Sequence, residues 1–182
     1  MTLYFILVLG HIIGTILGVG GATMIEIHLN KALRDGKMDT VERDFLGADF
    51  LMTRIGMALG LLSGLGFILT YYANDFLFRI DSGVFWAKMA IFLIIVINAY
   101  LLHKHKIGIY WGSAFSFVSW WTVMLLGMFL SNSIAFLPGE TLLSFIVVML
   151  IYGVTVILGA FILHKLRERL KAPVIPLVQT NT

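Results

Sequence analysis

The residues best placed to do chemistry are His11 and Lys88, because each interrupts an apolar run that is otherwise almost free of charge. An ionisable side chain inside such a run is costly unless it has a partner and a task. At 1.5 Å per residue His11 lies about 13 Å from the start of its run, well inside a bilayer. Lys88 enters a later run from the same face, and its long stem can reach either inward or out to the headgroups. Two cations side by side repel, so a working His11 is expected to be neutral, and a neutral imidazole can ligate a haem iron. Beside it stand Gly10, Gly14 and Gly18, followed by Ala22, a stripe of small residues on one helix face. Gly56, Gly60 and Gly64 repeat the pattern further on. Such stripes serve close helix packing, or else offer a smooth face to a flat macrocycle. On the second reading His11 holds the iron of a b-type haem, Gly10 and Gly14 bed the macrocycle, and Lys88 pairs with a propionate. The plainer alternative gives His11 a hydrogen bond to a neighbouring helix and sends Lys88 to the headgroups.

The remaining candidates sit nearer the helix ends. His28, His103, His105 and His164 would all lie at one membrane face. There they are either solvated or partners in a metal site, and no His-Glu-x-x-His pair is present. Glu26 and Arg54 fall at similar depth on adjacent segments and are expected to form an ion pair, with Asp49 as competitor. Ser113, Ser116, Ser119 and Thr122 recur at three-residue spacing beside Trp120 and Trp121. They either glue helices together or, with Asn98, line a cavity.

The elements that must position these residues follow from hydropathy. Of 182 residues 59% are hydrophobic and only 13% charged, with mean hydropathy +0.95. That composition belongs to membrane proteins rather than soluble domains. A net charge of +3 does not imply nucleic acid, since the basic residues lie in short segments between apolar runs. There is no cysteine, which excludes disulfides, thiolate metal sites and covalent haem attachment. Five segments reach the roughly 20 residues a bilayer requires: about 3–28, 50–73, 84–103, 109–131 and 141–164. None alternates at period two, so the expected fold is an all-α, five-helix transmembrane bundle forming one domain over 1–182. The first segment lacks a basic n-region and is expected to be retained as a helix. Asp39 and Glu42 suit a capping box, so the second helix should begin before its apolar run. A loose tail is expected over about 170–182, after Pro173 and Pro176.

Orientation follows from the basic residues. Lys31, Arg34, Lys37, Arg43, Arg54, Lys104, Lys106, Lys165, Arg167, Arg169 and Lys171 would share one face, against Arg79 and Lys88 on the other. Eleven against two places the N-terminus outside and the C-terminus inside. Tyr71, Tyr72 and Trp86 would form the outer aromatic belt, Tyr110 and Trp111 the inner one.

Leu9-Gly10-His11-Ile12-Ile13 together with Trp86-Ala87-Lys88-Met89 resembles a bacterial superfamily of small helical membrane proteins. That superfamily includes the haem-dependent membrane protoporphyrinogen oxidases and the copper-resistance D family, and the likeness covers about residues 5–105. It implies a haem-ligating role for His11 and a functional role for Lys88. The oxidases carry a further histidine deep in helix 3, where this chain has Asn98-Ala99-Tyr100. A proline-containing start to helix 2 would be expected where Arg54 stands. The expected function is therefore a multi-pass protein of the bacterial inner membrane that binds haem b and has a redox role. The alternatives are transport or handling of a small solute or metal, or a structural place in a membrane complex, with the lipid bilayer and either identical subunits or a membrane complex as its partners.

Overall fold

A backbone amide in lipid must be bonded within its own segment, and a helix achieves this without any neighbour. The computed structural model describes residues 2–35, 38–74, 82–131 and 141–170. Its elements are α1 (Thr2–Asp35), α2 (Thr40–Ala73), α3 (Gly83–His103), α4 (Ile109–Ser131) and α5 (Thr141–Leu170). All five are long and apolar enough to cross a membrane, so the chain is a polytopic helical membrane protein. The outward faces carry residues such as Leu62, Leu69 and Ile157, which suit contact with acyl chains. The tail beyond residue 170, Pro138, Gly139 and Arg79 lie outside the described residues.

Because lipid is as apolar as leucine, helix contact here relies on dispersion at close range. Glycine permits that range between α1 and α2, the most extensive helix pair in the molecule. The two run antiparallel, with Gly14 against Gly60, Gly18 against Gly56 and Gly21 against Thr53. A Cβ on Gly56 would lie 2.5 Å from the Gly18 nitrogen and 2.8 Å from the Gly14 oxygen, both backbone atoms that cannot step aside. The stripe thus packs helices, but not at every member. Gly10 has open space around it, and a Cβ on Gly60 or Gly64 would face α3 at Phe92 or Met89.

Both α1 and α2 have 34 residues, about 51 Å at 1.5 Å per residue, far more than a bilayer core needs. The excess is at the end away from the N-terminus. There Ile25 and Leu29 of α1 bury against Leu46 of α2, with Phe50 and Ile109 packed beside them. This satellite core carries α1 beyond the expected limit at residue 28. The capping box starts α2 as expected: Glu42 N–H donates to Asp39 Oδ1 at 2.7 Å, and Asp39 N–H to Glu42 Oε2 at 3.3 Å.

The main core joins α1 to α3, α4 and α5 around Trp120, Ile91 and Ile95. Trp120, almost wholly buried, lays its ring where a side chain on Gly18 would otherwise stand. Polar bonds tie the same helices. Ser119 Oγ lies 2.8 Å from the Tyr152 hydroxyl, Asn98 Nδ2 donates to the Gly112 carbonyl at 2.9 Å, and Trp121 Nε1 donates to Thr23 Oγ1 at 3.2 Å. In contrast α2 packs mainly on α1 and touches the other helices little. A seam therefore runs between α2 and the α3–α4 pair, along the α2 face that carries Phe50, Thr53, Met57, Gly60 and Gly64.

Candidate functional site

The register of α1 on α2 sets His11 opposite Ser63, and His11 Nδ1 lies 2.9 Å from Ser63 Oγ. Lys88 comes in from α3, its Nζ 3.2 Å from His11 Nε2. Ser63, buried, turns its own hydroxyl proton back to the Leu59 carbonyl at 2.6 Å. One assignment satisfies every member. The Lys88 ammonium donates to a bare Nε2, the neutral imidazole donates from Nδ1 to Ser63, and Ser63 donates to α2. Thr15 closes the group by donating to the His11 carbonyl at 2.9 Å, and the Phe67 ring meets the imidazole edge-on at 5.5 Å. Lys88 therefore turns into the bundle, against the Gly127 backbone of α4, rather than out to the headgroups.

Between these groups lies a cavity of about 40 Å³, bordered by His11, Thr15, Gly60, Lys88, Phe92 and Trp120. That volume holds a water or a small solute, since one water centre needs about 10–15 Å³. Its wall is mostly apolar, from Leu61, Leu65, Met89, Phe92 and Val123, with few polar groups among them. The ammonium has hydrogens left after its bond to His11, and among the described residues the buried Trp120 Nε1–H has no acceptor. An occupant there meets apolar wall on most sides and can accept a hydrogen bond from Lys88.

A haem at His11 finds less support from the same residues. Both ring nitrogens already have protein partners, and a cavity of about 40 Å³ is far below the size of a porphyrin. Gly14, expected to bed the macrocycle, is instead closed by α2, while Gly10 stands open. As the side chains stand they do not fit the group.

The expected pairing of Glu26 with Arg54 gives way to another. Glu26 is held by Arg167 of α5, whose Nη2 lies 2.7 Å from Oε1 and 2.5 Å from Oε2. The same guanidinium nitrogen donates to Ser113 Oγ at 3.0 Å, Nη1 donates to the Tyr110 carbonyl, and the group lies over the Tyr110 ring at 5.6 Å. Arg167 joins α1, α4 and α5 at one point and is itself buried, which keeps α5 helical past the expected limit at 164. Arg54 is exposed, and Asp49 does not compete for it, because Asp49 Oδ2 lies 2.5 Å from His28 Nδ1. Arg167 was hidden among the basic residues counted for orientation. The signal for it was periodic: Tyr152, Val156 and Ala160 mark the buried stripe of α5, and Arg167 falls two turns further on.

The histidines at that end do not converge on a metal. His28 is taken by Asp49, and His164 stacks on Trp111 at 4.9 Å with Glu168 3.3 Å away. Among the described residues no three His, Asp or Glu side chains are grouped to hold an ion. His103 and His105 instead border a larger cleft with Arg54, Ser113 and Ser116. The helix-4 serines thus divide: Ser119 bonds a neighbouring helix, Ser116 lines that cleft, and Ser113 does both. Comparison with protein-family models, curated proteins and solved structures found no match.

Proposed function

We propose that this membrane protein moves protons, alone or with a small hydrogen-bond-accepting solute, through the node formed by His11, Lys88 and Ser63. The observation that carries the reading is the 3.2 Å contact between an amine and an imidazole inside the bundle, at the border of a cavity of about 40 Å³. An ammonium and a neutral imidazole in contact share one proton between two bases. Transfer from Nζ to Nε2 moves charge from α3 to α1 and leaves Lys88 a neutral amine, while Nδ1–H stays hydrogen-bonded to Ser63. Ionisable groups so placed in a membrane commonly mark proton relays and ion paths.

The test is proton flux in proteoliposomes that enclose a pH-sensitive dye, under an imposed pH gradient with potassium and valinomycin clamping the potential. Wild type should dissipate the gradient faster than protein-free vesicles, and Lys88→Met and His11→Ala should each fall at least about tenfold below it. Flux equal to that of empty vesicles overturns the reading. The absorbance spectrum of the same preparation carries the rival outcome. A Soret band lost in His11→Ala would put a haem-based redox role in place of transport.

A further inference from the structure

The larger cleft has about 290 Å³ and opens on the seam at the end of the bundle opposite the N-terminus. Its floor is apolar, built from Ala22, Ile25 and Met57, while Arg54, His103 and His105 supply its polar border. Among the described residues no acidic one lines it. The two carboxylates that α1 and α2 bring to this depth are both committed, Glu26 to Arg167 and Asp49 to His28. Among the described residues Arg54 has neither ion pair nor hydrogen bond. It lies four residues inside Phe50, about 6 Å into the apolar stretch of α2. A guanidinium there reaches along its stem to the headgroup level, where water or an anion can meet it.

The corner between α3 and α4 places the histidines. Lys106 N–H donates to the Leu101 carbonyl at 2.9 Å and His105 N–H to that of Leu102 at 3.0 Å, a Schellman turn. It needs one left-handed residue, normally glycine, and here that residue is His105 at φ 53°. The chain thus keeps an imidazole at the cleft where its backbone favours having no side chain.

We infer that this cleft binds the headgroup of an anionic phospholipid, with the phosphate on Arg54, the His103 and His105 imidazoles beside it, and an acyl chain leaving along the apolar floor. Charge complementarity selects this occupant, since the border is basic and the floor apolar. The inference stands apart from the proton reading, because it uses none of the residues of that node.

Native mass spectrometry of the full chain, released from detergent after incubation with dioleoyl phosphatidylglycerol, dioleoyl phosphatidylcholine or inorganic phosphate, tests it. Phosphatidylglycerol adducts should be retained well above phosphatidylcholine adducts, and inorganic phosphate at equal concentration should not displace them. Arg54→Gln, at an exposed position without partners, should keep the thermal midpoint and weaken phosphatidylglycerol retention about fivefold. His105→Gly should lower retention while leaving the fold at least as stable, because it removes the imidazole and suits the left-handed turn. Arg169→Gln, exposed on α5, should retain the lipid as wild type does. Equal retention of the two lipids, full retention in Arg54→Gln, or displacement by inorganic phosphate would each overturn the inference.

Discussion

Arg167 and Glu26 are both buried, and at that burial each needs the other. Removing one partner strands a charge in a low-dielectric site, whereas removing both strands none. Glu26→Gln or Arg167→Gln alone should therefore cost about 3–5 kcal/mol, and the double variant should recover much of it. Unfolding in mixed micelles checks this, and strictly additive losses would show the two to be uncoupled. Arg54→Gln should leave the same transition unmoved. At this scale the sequence told which residues mattered better than whom they met. His11 and Lys88 stood out because each is a polar residue in an apolar run, and they do meet. Glu26 stood out for the same reason, yet depth alone cannot choose between two arginines on different helices. The choice depends on which helix α1 faces at that level, a property of the whole packing.

Among the elements, glycine spacing identified the helix pair that packs most closely but not which glycines do the packing. A four-residue period drifts about 40° per step on a helix of 3.6 residues per turn, so the stripe leaves the contact toward its ends. Gly10 at one end and Gly64 at the other have moved off it. Gly56→Ala should consequently overpack the crossing and destabilise by about 1–3 kcal/mol. Gly10→Ala should be neutral or mildly stabilising, as a side chain there meets nothing. Thermal aggregation midpoints of the two variants in one detergent make the comparison, and matching midpoints would deny Gly56 its role. Helix limits were legible where a local signal exists, as at the Asp39 cap. They were not where a long-range contact decides, as with Leu29 against Leu46 and Arg167 against Glu26.

For the molecule as a whole, the number of crossings was plain in hydropathy, because every bilayer span must be apolar over a fixed length. The same charge asymmetry that was read as orientation gives a direct expectation. Reporter fusions after residues 36, 78, 106, 137 and 182 should read in, out, in, out, in. Equal readings after 106 and 137, or after 137 and 182, would be incompatible with α4 or α5 crossing. What hydropathy could not give is the seam, since the separation of α2 from α3 leaves no trace in the apolarity of either. The lopsided attachment of α2 also bears on how the chain is made. Ribosomes deliver α1 and α2 before α3, and their backbone-to-backbone crossing needs no later helix to complete it. This hairpin can enter lipid as a finished unit while α3 is still unsynthesised, with Trp120 arriving later to fill the place above Gly18.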